Sequence, residues 1–152
     1  MVGFTDSDWV GDPNDQKSTA GYVFSVGSRP ITWACKKQQA IALSSAEAEY
    51  RAAVNASQEA LWLRQILSEF GFQHQHPTSL WCDNQSAIKL TKDPVQHQCS
   101  KHIDLHMHFI RKLIHDQAIE VLFFPIEDKV TDNFTKSLIE AKFSKLRSML
   151  GV

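Results

Sequence analysis

The hydrophobic pattern of this chain changes period near residue 44, and that change restricts the folds open to it. Before it, three segments read as strands, at 3–9, 19–27 and 30–35. Segment 19–27 (TAGYVFSVG) is rich in β-branched and aromatic side chains, which suit a pleated surface. Turn residues join the three, at Gly11-Asp12-Pro13-Asn14-Asp15 and Gly27-Ser28-Arg29-Pro30. Successive strands with short turns predict an antiparallel meander. After the change, Ser44 or Ser45 can cap a helix that runs to Phe70. Tyr50, Ala53, Val54, Ala60, Leu61 and Leu67 recur at helical spacing as its buried stripe, and Gly71 stops it. Residues 78–82 (TSLWC) form a short strand, 84–90 a short helix closed by Asp93-Pro94, and 101–116 a helix. Residues 118–125 (AIEVLFFP) read as the last strand, and 128–150 hold one or two further helices.

That order predicts an α/β fold: a mixed five-stranded sheet, flanked by helices, in which long connections let the later strands run parallel to the first. Residues 1–152 form one domain, without repeats, low-complexity segments or long linkers. Apolar content of 43% and charged content of 22% are ordinary for a globular chain. No stretch approaches the ~20 apolar residues of a membrane span, so no membrane partner is expected. The first residues carry no secretory signal and enter strand-like sequence at once, as in a domain cut from a longer polypeptide. Cys35, Cys82 and Cys99 are odd in number and form no CxxC pair, so they read as small buried hydrophobes in a reducing compartment. The tryptophans read as core, with Trp9 the exception. A formal net charge of −1 weighs against a general phosphate binder, unless metal offsets the acids locally or the lysines cluster.

Ligand sites in such sheets lie at the carboxyl ends of strands. Asp6 stands late in the first strand and Asp83 at the end of the fourth, while Glu49 and Asp132 stand in the first turns of helices. Carboxylates gathered there would hold hard divalent cations. Most have a rival. Asp6 and Asp8 face the same way in a strand, and Asp8 lies nearer the turn, either in solvent or behind the ligands of the site. Glu47 and Glu49 are ~200° apart on a helix, and Glu47 can pair with Arg51 one turn on. Around the last helix start, Glu127, Asp128 and Asp132 are not separable by pattern. Asp83 has no rival, and its bland role is to cap the following helix. His97, Cys99, His102, His106 and His108 cluster in sequence, and His102 and His106 share a helical face. No second ligand pair accompanies them, so packing and surface roles are favoured over zinc.

The chain resembles the ribonuclease H domain of copia-type LTR retrotransposon pol polyproteins. The resemblance rests on Asp6-Ser7-Asp8-Trp9, Lys17-Ser18-Thr19-Ala20-Gly21-Tyr22, Ile31-Thr32-Trp33, Ala42 to Tyr50 (ALSSAEAEY), Cys82 to Ala87 (CDNQSA), Lys101-His102-Ile103-Asp104, His108-Phe109-Ile110-Arg111 and Asp132-Asn133-Phe134-Thr135-Lys136. The segments run in one order from residue 4 to about residue 150, and residues 145–152 look like the natural end of such a polyprotein.

The resemblance implies a ribonuclease H-like fold, hydrolysis of the RNA strand of RNA–DNA hybrids, and two Mg²⁺ ions, for which Mn²⁺ can substitute. It places the family's acids on Asp6, Glu49, Asp83 and Asp132, deciding the last choice. In that scheme Asp6 bridges both ions, Glu49 and Asp83 hold the one on the leaving-group side, and Asp132 holds the one that activates water. Ser18, Thr19, Asn84 and Gln85 could read 2′-hydroxyls, and Lys36, Lys37, Lys89 and Lys92 could track phosphates. Asn84 and Gln85 serve equally well as capping residues, and each lysine as a solvated charge. The implied partners are the RNA–DNA hybrid and the reverse transcriptase domain of the same polyprotein. The isolated domain is expected to be a monomer, acting in cytoplasmic virus-like particles, with the nucleus as second compartment. Cellular enzymes of this fold often carry a histidine loop before the last acid, whereas residues 124–130 here have none. That puts efficient turnover in doubt. A non-catalytic, host-retained binding module with the same fold is the alternative.

Overall fold

A computed structural model describes residues 1–11, 14–92, 101–124, 131, 135–136 and 140–149. Strands β1 (Val2–Asp8), β2 (Thr19–Val26) and β3 (Arg29–Lys37) form the expected meander, with both pairs antiparallel. Gly27 turns β2 into β3 at φ +62, a conformation open to glycine at little cost. Strands β4 (Thr78–Cys82) and β5 (Ile119–Phe123) extend the sheet in parallel, giving the order β3-β2-β1-β4-β5. β1 and β4 are therefore parallel neighbours, and their carboxyl ends lie side by side. Gly3 sits opposite Phe24 because a Cβ there would come within 2.3 Å of that ring.

Helix α1 (Ser45–Glu69) has defined ends. Ser44 Oγ accepts from Glu47 N–H at 3.1 Å, and Glu47 Oε2 accepts from Leu43 N–H at 2.8 Å, a reciprocal cap. At the other end Phe72 N–H reaches Leu67 O and Gly71 N–H reaches Ser68 O, both at 2.9 Å, with Gly71 at φ +86. That is a Schellman stop. Ala48, Ala52, Ala53, Ala56 and Ala60 are all buried on its inner face. Small side chains there let the helix lie close against the sheet. Helices α2 (Gln85–Lys92) and α3 (Lys101–His115) follow, with α4 (Glu140–Met149) after the last strand. Phe24, Tyr50, Val54, Leu80, Ile110, Ile119 and Val121 are joined in one core. Phe4, Trp81 and Phe124 make a second apolar group, with ring centroids 5.6–5.9 Å apart in edge contacts.

Several expectations are corrected. Leu61 is exposed, because the buried stripe of α1 passes it by. Trp33 and Trp62 are 58% and 54% exposed, so they do not fill the core, and Trp9, the expected exception, is 48% exposed. Trp33 stands on the edge strand and Trp62 on the outward side of α1. Cys82 is buried as expected but Cys35, also on the edge strand, is exposed, and Cys99 lies outside the described residues. β3 runs on to Lys37, beyond its expected end. Among the described residues, no helix is long and apolar enough to cross a membrane.

Candidate active site

The parallel pairing of β1 with β4 sets up the site. Asp6 is fully buried in β1, opposite Gly21 of β2. A buried carboxylate needs partners to offset its lost hydration. Thr135 donates its hydroxyl to Asp6 Oδ2, and Lys136 Nζ lies 3.6 Å from Oδ1. Glu49 is 5% exposed in the first turns of α1, and its Oε1 accepts from Ser7 N–H at 3.0 Å. The backbone next to one acid thus fixes the next. Gln38 braces this joint: its Nε2 donates to Ala48 O at 2.9 Å and to Ser7 Oγ at 3.3 Å. Asp83 follows directly on β4 and is half-buried.

Glu49, Cys82 and Asp83 each offer a ligand atom within 4.8 Å of the others, a spacing one cation can bridge. Asp6 is not part of that group. The two carboxylates fit a hard ion such as Mg²⁺. The Cys82 thiol is soft, belongs to the core and suits such an ion poorly. Asp132 lies outside the described residues. Asp8, the rival of Asp6, is half-buried. Burial pushes its carboxyl above the ordinary range, Lys136 pulls it down and Asp6 adds to the rise. Glu47 makes the pair expected of it, 2.6 Å from Arg51.

The helix cap after β4 is Asn84, whose Oδ1 accepts from Ala87 N–H at 3.0 Å. Asp83 is therefore not held in that role. Ser18 is corrected: it is fully buried, its Oγ accepts from Val10 N–H at 3.3 Å, and it cannot present a hydroxyl to a ligand. Thr19 is half-buried at the start of β2, and Gln85 is exposed. Lys36 and Lys37 are exposed and border an open trough of about 830 Å³ with Gln39, Arg51, Asn55 and His106. Lys37 also meets Asp15 at 2.9 Å. Lys89 and Lys92 are exposed in the last turn of α2. His106 and His108 are exposed, and no metal-holding group among the described residues includes them. His97 and Cys99 lie outside those residues, and nothing is described of the His102 side chain.

Sequence reasoning missed Gln38, Thr135 and Lys136. The last two stand in the Asp132–Lys136 segment of the resemblance, so their signal was visible without a role. Gln38 carries no signal beyond being polar at a strand end.

No family model matches the chain. It is 40% identical over 149 residues to the retrovirus-related Pol polyprotein from transposon RE2 of Arabidopsis thaliana, which covers 98% of the chain but only 10% of that relative. Among solved structures it is similar to LC11-RNase H1 in complex with an RNA/DNA hybrid, at 13% identity and TM-score 0.61, covering 88% of this chain and 92% of that one. It is also similar to the protease–reverse transcriptase of prototype foamy virus, at 15% identity and TM-score 0.56, covering 99% of this chain and 21% of that one. The mixed sheet with its strand order, the structural likeness and the full-length match together show that the chain belongs with the Pol polyproteins of copia-type transposons and has the fold of their ribonuclease H domain.

Proposed function

We infer that the chain is a metal-dependent endonuclease that hydrolyses the RNA strand of RNA–DNA hybrids during retrotransposon reverse transcription. The observation that carries this reading is the convergence of Glu49 and Asp83 within 4.8 Å, at the strand end beside Asp6. Asp6, Glu49, Asp83 and Asp132 are the residues that would hold two Mg²⁺ ions, with Mn²⁺ as substitute. Bound there, the ions would supply an activated water and offset the charge that develops on the phosphate. The chain's own part is orientation. Ser7 N–H fixes one oxygen of Glu49, and Gln38 fixes Ser7 and the start of α1. Thr135 and Lys136 meet the two oxygens of Asp6 in a place that solvent does not reach.

Lys36, Lys37 and Lys89, all exposed, are the cations we assign to phosphates, and Thr19, Asn84 and Gln85 the polar groups for the minor groove. The solved relative in complex with an RNA/DNA hybrid supports the substrate class. The foamy virus chain, four-fifths of which lies outside the match, supports a reverse transcriptase domain as covalent partner. The reading carries with it a monomer when the domain is isolated, and action in cytoplasmic virus-like particles or the nucleus.

One observation favours a non-catalytic binding module instead: both Asp6 oxygens already meet Thr135 and Lys136. A cleavage panel separates the two readings. A labelled RNA–DNA hybrid is offered with Mg²⁺ or Mn²⁺, beside single-stranded RNA, duplex RNA and duplex DNA. The nuclease reading predicts cleavage of the hybrid alone. A folded chain that binds the hybrid and leaves it whole would speak for the module.

A further inference from the structure

Asp6 has no exposed surface, yet its ionic partner comes from the surface: the Lys136 side chain is 36% exposed and its ammonium reaches inward to 3.6 Å from Oδ1. The adjacent oxygen accepts from Thr135, so consecutive residues of one segment close on one carboxylate. A buried carboxylate without counter-charge carries a large desolvation cost. Lys136 supplies that counter-charge from within the chain, and its field extends to Asp8 as well. A divalent ion would meet the same need with twice the charge. Ion and ammonium then want the same oxygen and repel each other. A lysine has a flexible stem and a compact, strongly hydrated charge. This one is already partly in water, with 36% of its side chain exposed.

We propose that Lys136 is the resident counter-cation of the site, holding Asp6 in the metal-free chain and leaving it as a divalent ion binds. Affinity for metal is then set by competition with Lys136. This rests on the metal-site reading above and extends it from which residues hold the ion to what the ion must displace. The Thr135 hydrogen bond to the other oxygen can stay, because a carboxylate oxygen has a second lone pair to offer an ion.

The test needs no nucleic acid. Mn²⁺ binding is measured by titration calorimetry on the 152-residue chain and on its Lys136→Met and Lys136→Arg variants. Methionine keeps the aliphatic stem and removes the charge. Lys136→Met is expected to bind about tenfold tighter, the scale of a partly exposed ion pair that the metal no longer has to break. Its Tm in EDTA is expected to fall below that of the parent. Lys136→Arg keeps the charge and is expected to stay within about threefold of the parent. Equal binding by Lys136→Met and parent overturns the proposal, and so does weaker binding, which would mean that the lysine only anchors its segment.

Should Lys136→Met not fold, the parent chain gives the second reading. Acetylation of Lys136 by an amine reagent, followed by peptide mass spectrometry, is expected to rise when Mg²⁺ is added while that of Lys89 stays constant. Unchanged acetylation of Lys136 contradicts the displacement. If no chain binds metal, the metal-site reading falls together with this one; if all bind metal equally, only this one falls.

Discussion

Thr5 and Asp6 are adjacent, both fully buried, and treated oppositely by their surroundings. Asp6 has Thr135 and Lys136, whereas the Thr5 hydroxyl has no hydrogen-bond partner among the described residues. A buried hydroxyl in that state costs about 1–3 kcal/mol relative to an apolar group of the same shape. Thr5→Val is therefore expected to raise stability by about 1 kcal/mol in urea unfolding, and a loss of stability would mean the hydroxyl has a role in the native state. Tyr22 offers a pH-dependent counterpart. Burial, then the charge of Glu59 and a hydrogen bond to it, push its phenol up to about 12. Because the folded value lies above the ordinary 10.0, this contribution is complete below pH 10 and lost as pH rises toward 12. Glu59→Gln removes the charge, so ultraviolet titration should show tyrosinate forming at lower pH in that variant. At this scale the sequence was informative where a residue's neighbours in the chain decide its role. Glu47 pairs with Arg51 as its spacing implies, while the partners of Asp6 come from 129 residues away and no local pattern announces them.

Helix ends are the most local devices in the fold: the sequence narrowed the start of α1 to Ser44 or Ser45, of which Ser44 is the cap, and marked its end by Gly71. Ser44→Ala removes the acceptor for Glu47 N–H and is expected to cost about 1 kcal/mol. Gly71→Ala forces a side chain into φ +86 although nothing crowds the site, and a cost of about 1 kcal/mol is expected from backbone strain alone. Thermal unfolding of both variants checks this, and no change in Gly71→Ala would mean that the stop is not under conformational constraint. The meander, the parallel pair and the order of elements were also legible, because period and turn chemistry report on neighbouring residues. Solvation of whole faces was not. Trp33 and Trp62 look like core by residue type, and their exposure follows from an edge strand and an outward helix side, which only the assembled layers determine.

In the whole molecule, function turns on whether acids from separate elements meet. The sequence placed Asp6, Glu49 and Asp83 at element ends; the β1–β4 pairing sets Asp83 beside the strand of Asp6, and the Ser7–Glu49 bond brings Glu49 within reach of one ion with Asp83. Resemblance alone selected Asp132 from its neighbours. The buried Asp6 carboxylate has the ammonium of Lys136 at 3.6 Å, and on the proposal above a divalent ion would take that place. The direct test is hydrolysis of a labelled RNA–DNA hybrid by the parent chain and by Asp6→Asn, with divalent ion and with EDTA, the variant's fold being checked by circular dichroism. The account predicts cleavage by the parent only, only with metal, and a loss of at least about 10²-fold in a folded Asp6→Asn. Cleavage that persists in Asp6→Asn, or in EDTA, would contradict it.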